Sequence, residues 1–162
     1  MTRYAGVSLR VTALVVGVVA SPPLRSEVGD LIFADGFDPA AIVINEIESN
    51  PSPDWVELYN RSTAAVDISG WSVTDSDPTH AEFLPAGTLL AAGSFYVFTP
   101  AAFGLGQPDS AVLYDNFGRL VDSYSWSVHA VGTYARCPDG FGAFLDVATA
   151  TQGSSNVVAC PP

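Results

Sequence analysis

Lysine is absent from the 162 residues; all six basic side chains are arginine, set against 17 aspartates and glutamates. Arg3 and Arg10 sit in the first 20 residues, so the remainder carries four arginines against 17 acids, a net charge of −13. A surface this acidic repels phosphate backbones and anionic lipid headgroups, which argues against nucleic-acid binding. It suits divalent cations or basic partners, or is simply a solvated face. Histidine occurs only at His80 and His129, both in expected loops. Ser127 lies near the second, but there is no G-x-S-x-G elbow, and two histidines among many serines meet by chance. Past residue 20 no apolar run is long enough to span a bilayer. No amphipathic helical period shows outside those first residues either.

Cysteine is nearly absent too. Cys137 and Cys160 are the only pair, and in an exported protein such a pair reads as one disulfide tying the tail to the last strands. A loop of that size contributes on the order of 3 kcal/mol in the chain-entropy picture. A two-cysteine metal site or a nucleophilic Cys137 would each need a histidine brought in from far away in sequence. Export itself is suggested by residues 1–20. Arg3 and Arg10 precede the short apolar run Val11–Ala20, and Val18 and Ala20 are small residues before a cut at Ser21, the layout of a secretory signal rather than of an anchor. Residues 21–39 read as an acidic linker. Within it, Leu31–Asp38 carries Ile32, Phe33 and Phe37, which are expected to dock on the domain that follows.

From residue 40 to 162 the pattern is short strands and turns. Ile42–Asn45 and Trp55–Asn60 alternate, separated by Ser49-Asn50-Pro51-Ser52-Pro53, where each proline removes a donor and fixes φ. Further runs follow at Val66–Ser69, Trp71–Thr74, Phe83–Leu84 and Gly87–Leu90. Ser94–Phe98 is apolar on both faces and is expected to be a central, covered strand. Ala111–Tyr114 and Leu120–Tyr124 form a hairpin whose loop uses Gly118 for positive φ, and Thr133–Arg136 is the next strand. Asp139-Gly140 turns the chain, and Phe144 is expected in the core. The fold class is therefore all-β, an antiparallel β-sandwich.

Taken in order, several pieces resemble the lamin-tail domain family: Ile44-Asn45-Glu46-Ile47, Asp54-Trp55-Val56-Glu57-Leu58-Tyr59-Asn60, Asp67-Ile68-Ser69-Gly70-Trp71, Leu113-Tyr114-Asp115, Leu120–Ser123, Arg136 with Asp139-Gly140, and Thr151–Asn156. No single piece is specific, but their order spans most of residues 41–156. The resemblance implies an immunoglobulin-like sandwich that is mostly non-catalytic and, in exported bacterial proteins, often an accessory module. Phe144 stands where that family often has tryptophan, and Cys137 follows the family arginine. Asn45, Glu46, Trp55, Glu57, Asn60, Gly70, Trp71, Arg136, Asp139, Gly140 and Asn156 are then the motif residues, expected to fix strand ends rather than to react.

Arg136 is expected to pair with Glu57 or Glu46, because a buried guanidinium needs a carboxylate. Asp75 and Asp77, with His80, are the weak cation candidates; a turn is the simpler reading, since calcium needs six or more oxygens. Trp55, Tyr59, Tyr124 and Trp126 could form an exposed aromatic strip for a carbohydrate or protein partner. Asn60-Arg61-Ser62 fits the glycosylation pattern but reads as a strand-ending turn. The expectation is an exported, non-catalytic module, secreted or at the cell surface, without a cofactor. A calcium-stabilised adhesion module and a small secreted hydrolase are the competing readings.

Overall fold

The computed structural model describes residues 41–50 and 53–162. The proposed signal, the linker with its Leu31–Asp38 segment, and Pro51-Ser52 of the first turn lie outside the described residues. Eleven strands are described: β1 Ile42–Glu48, β2 Trp55–Asn60, β3 Val66–Asp67, β4 Ser72–Thr74, β5 Glu82–Phe83, β6 Leu89–Leu90, β7 Phe95–Phe98, β8 Asp109–Tyr114, β9 Leu120–Trp126, β10 Thr133–Cys137 and β11 Ala143–Val147. They pair antiparallel into a five-stranded sheet, β11-β10-β1-β2-β7, a four-stranded sheet, β5-β4-β8-β9, and the small pair β3-β6. Among the described residues after β1 there are two single 3₁₀ turns, Pro78–His80 between β4 and β5 and Asn156–Val158 after β11. Among the described residues no helix is long and apolar enough to cross a membrane.

Alternation builds the core. Ile44, Ile47, Val56 and Leu58 face inward from β1 and β2 and meet Val73, Ala111 and Leu113 from the other sheet, all fully buried. Ile68 and Trp71 close one end. Burying a side chain of this size stabilises by about 1.5–3 kcal/mol. One irregularity in β1 decides the rest of the architecture. Ile44 sits opposite Leu58, yet Glu46 sits opposite Glu57, so Asn45 is an extra residue, a β-bulge. The bulge keeps Ile44 and Ile47 in the core while turning Asn45 and Glu46 both to the outer face.

Two expectations need correction. Among the described residues β7 is not a central strand; it ends the five-stranded sheet and pairs with β2 alone. Its apolar character on both faces has a different cause. Tyr96 and Phe98 pack on the core, while outside Phe95 stacks on Tyr59, ring centres 4.8 Å apart. Strand β11 carries no recognisable sequence signal and was missing from the expected set. Its residues pair with β10 from Thr133↔Val147 to Cys137↔Ala143. The β8–β9 loop does use Gly118 at φ 75°, as its sequence requires.

Candidate functional site

The bulged pair Asn45 and Glu46 meets Glu57 on the outer face of β1 and β2, and the chain after β11 covers all three. Glu46 accepts from the Thr133 hydroxyl at 2.6 Å, the Thr151 hydroxyl at 2.8 Å and the Thr151 amide at 3.0 Å. Glu57 accepts from Asn45 Nδ2 at 3.1 Å and from the Gly153 amide at 2.6 Å. Burial pushes the Glu57 carboxyl up to about 7, against the two donors, which pull it down. Asn45 Nδ2 also donates to Asp139, at 3.0 Å, while its oxygen accepts from the Gly140 amide at 2.9 Å.

Asn156 locks the strap from above. Its amide hydrogens go to the carbonyls of Asn45 and Arg136, its side-chain oxygen lies 2.6 Å from the Thr151 hydroxyl oxygen, and its backbone N–H donates to Asp139. Cys137 and Cys160 are disulfide-bonded, with Cα atoms 5.6 Å apart, which closes the strap onto the end of β10. Gly140 holds φ 69°, and a Cβ there would lie 2.7 Å from the Tyr59 ring. Glycine is thus required twice over at this turn, by the dihedral and by the ring. Glu46, Glu57, Asn45 and Asn156 are wholly inaccessible to solvent, and among the described residues no buried side-chain polar atom lacks a partner. A cluster so sealed and so satisfied fixes strands; it presents no group to a substrate.

Arg136 does meet a carboxylate, but not Glu57 or Glu46. Its Nη2 lies 2.8 Å from Asp122 of β9, its Nε donates to the Ile44 carbonyl at 2.7 Å and its Nη1 to the Gly142 carbonyl at 3.0 Å. Asp122 in turn accepts the Ile44 N–H at 2.9 Å. The two side chains thus take the place of a strand beside Ile44, and they bolt β9 of one sheet to β1 and β10 of the other. Glu46 and Glu57 are unavailable to Arg136 because the strap's own donors occupy them.

The remaining motif residues are structural by position. Trp71 is 1% exposed and Trp55 is 5% exposed. Gly70 turns at φ 70°. Asn60 donates to the Ala64 and Leu90 carbonyls and accepts from Ser62; it is fully buried, so a glycan could not be attached there. The aromatic strip does not exist as one surface. Trp55 and Tyr59 belong to β2, whereas Tyr124 and Trp126 belong to β9 in the other sheet. Trp126 is buried and donates Nε1 to the Gly106 carbonyl, and Tyr124 stacks on Phe144 at 4.1 Å.

Asp75 and Asp77 do come together with His80. Nδ1 of His80 is 2.8 Å from Asp75 and Nε2 is 3.8 Å from Asp77. The hydrogen bond to Asp75 raises the His80 pKa. The other carboxylate oxygens accept backbone N–H groups of Asp77 and Thr79, so the cluster organises its own turn. Among the described residues no group of three or more His, Cys, Asp or Glu is placed to hold a metal ion. His129 meets Ser49, not Ser127, with Oγ 3.0 Å from Nδ1. The neighbouring Glu48 accepts from the Asn50 amide at 2.8 Å, and among the described residues no carboxylate hydrogen-bonds the His129 ring. Sequence reasoning has Asp122 only as part of the Leu120–Ser123 motif and does not single out Thr133; the partner of Asp122 is Arg136 and that of Thr133 is Glu46, contacts that show only in three dimensions.

Beside the strap lies a cleft of about 490 Å³. Pro138, Leu145, Val157, Pro161 and the disulfide wall it, and Asp139 and Ser155 supply its polar edge.

Compared with protein families, residues 37–127 match the Lamin Tail Domain. No curated protein matches the chain. The match covers β1 to β9, and the strap reaches back onto the matched strands from outside it. With more than half of its length matched and an immunoglobulin-like antiparallel sandwich built on the motif residues, this chain belongs to the lamin tail domain family.

Proposed function

We propose that this chain is an exported, non-catalytic module with a binding or structural accessory role, secreted or at the cell surface. Residues 1–20 direct export, residues 21–39 are the acidic tether, and residues 40–162 are the folded module. The observation that carries this reading is the sealed cluster beneath the strap. Its carboxylates Glu46 and Glu57 and its amides Asn45 and Asn156 are buried and hydrogen-bonded, and the strap over them is closed by a disulfide, a bond suited to an oxidising compartment. The lack of lysine and the net acidity favour solubility and argue against nucleic acid as the partner.

The test is fractionation of cells expressing the full chain, with N-terminal sequencing and thiol titration of the recovered protein. Recovery from the medium or the envelope, beginning at Ser21 with no free thiol, is the expected result. A full-length protein in the cytosol with both thiols reduced would overturn the reading.

A further inference from the structure

We infer that the cleft beside the Cys137–Cys160 disulfide is a binding site for a basic side chain of a protein partner: a cationic head on an aliphatic stem. The inference deepens the binding role proposed above and rests on it.

The chemistry of the cleft selects this ligand. Pro138, Leu145, Val157 and Pro161 form apolar walls with the disulfide, and a cleft of about 490 Å³ falls in the range that encloses a small ligand group. At its edge stands Asp139. One carboxylate oxygen is filled by two donors, Asn45 Nδ2 at 3.0 Å and the Asn156 amide at 2.9 Å. The other takes a single hydrogen bond, from the Ser155 hydroxyl at 2.5 Å, which leaves one lone-pair direction unused. Ser155 is itself committed, since its oxygen also accepts from the Val157 amide at 3.2 Å. No arginine among the described residues forms an ion pair with Asp139. Arg136, the nearest in sequence, is held by Asp122 and two carbonyls.

Other ligand classes fit poorly. A bare divalent cation needs six or more oxygens, and the cleft offers one half-filled carboxylate. A sugar ring calls for an aromatic platform, and among the described residues no aromatic side chain lines the cleft. An anion would face Asp139 and the net acidity of the whole chain. A lysine or arginine stem lays its methylenes along apolar walls and delivers its charge to the carboxylate. A chain without lysine and with 17 acids also steers basic partners toward itself over long range.

The experiment is a titration of the disulfide-intact protein followed by ¹⁵N–¹H NMR. The probe is n-butylammonium, with n-butanol and butyrate as its neutral and anionic matches. Saturable shifts at Leu145, Ser155 and Val157 are expected with butylammonium, about tenfold weaker binding with butanol, and none with butyrate. Asp139→Asn keeps an acceptor for Asn45 and Asn156, and is expected to weaken butylammonium by about tenfold. Val157→Trp, at a side chain 71% exposed, is expected to fill the cleft and abolish the shifts with the fold unchanged. Equal affinity for butanol and butylammonium, shifts confined to another face, or an Asp139→Asn variant that binds as tightly as the parent would each overturn the inference. A cytosolic, reduced protein would sink the export reading without touching this result. An exported protein that ignores butylammonium would sink the cleft alone.

Discussion

Asp122→Ala removes the piece that joins the two sheets, and its effect can be worked from the hydrogen bonds. The Ile44 N–H loses its acceptor in a residue with no solvent exposure, which costs about 1–3 kcal/mol for an unsatisfied buried donor. Arg136 loses its carboxylate. Breaking a buried pair costs about 3–5 kcal/mol, but these side chains are 18% and 16% exposed, so water recovers part of it and about 1–2 kcal/mol is the reasonable share. The sum is about 2–5 kcal/mol, a large fraction of the stability of an ordinary domain. Asp122→Asn separates the two effects. Its side-chain oxygen can still accept from Ile44 while the charge is gone, so it is expected to lose only about 1–2 kcal/mol. Urea unfolding followed by the fluorescence of the tryptophans measures both. A cycle with Arg136→Met is expected to give a coupling of about 1–2 kcal/mol. If Asp122→Ala costs under about 0.5 kcal/mol, or the cycle shows no coupling, the side-chain clamp is not what holds β9 to β1.

Glu57 gives the fold a pH dependence of definite sign. Its pKa in the fold is about 7 against 4.5 in the free chain, so the folded state binds the proton more tightly. Its contribution is present below the unfolded value and is lost as pH rises through about 7, up to roughly 3 kcal/mol. The difference in unfolding free energy between the parent and Glu57→Gln, measured from pH 4 to 8, is expected to fall across that window; a flat difference refutes it. Replacing both cysteines with serine opens a link across a sequence separation of 23 and is expected to cost about 3 kcal/mol, read as a lower urea midpoint. Gly140→Ala combines positive φ with a Cβ 2.7 Å from Tyr59, whereas at Gly118, with φ +75°, a Cβ meets nothing within 4 Å. Thermal melts are therefore expected to show about 1 kcal/mol lost at Gly118→Ala and clearly more at Gly140→Ala, and equal losses would mean that the ring gives way.

Strand positions were legible where alternation was strong. Ile42 and Ile44, Val56 and Leu58, and the hairpin around Gly118 follow the pleat, and the structure uses them that way. Position within the sheet was not legible. Phe95–Phe98 is apolar on both faces whether a neighbouring strand or a stacked Tyr59 covers it, so composition cannot tell an edge from a centre. β11 was hidden for a related reason. Ala143–Val147 carries no clean alternation, and its place is set by pairing to β10. The partner of Arg136 was unreadable for want of a rule linking charges on different sheets. Need for a carboxylate follows from guanidinium chemistry, but choosing Asp122 over Glu46 or Glu57 depends on which carboxylates the strap has already claimed.

The bulge at Asn45 explains why a run of such ordinary residues matters. Without the extra residue, strict alternation would send Glu46 inward beside Ile44 and Leu58, burying a carboxylate in hydrocarbon with no donors. With it, two adjacent polar side chains share one outer face: Glu46 accepts from Thr151 of the strap, Asn45 accepts from the Gly140 amide through its side chain, and its own carbonyl accepts from Asn156. Asn156 spans from the Asn45 carbonyl to the Arg136 carbonyl, joining neighbouring strands that pair directly only at Glu46 and Ile47. On the opposite side of that same gap, Arg136 and Asp122 satisfy Ile44. The interruption of the β1–β10 ladder is therefore filled from two sides by side chains. The strap and the inter-sheet clamp are two consequences of the same inserted residue.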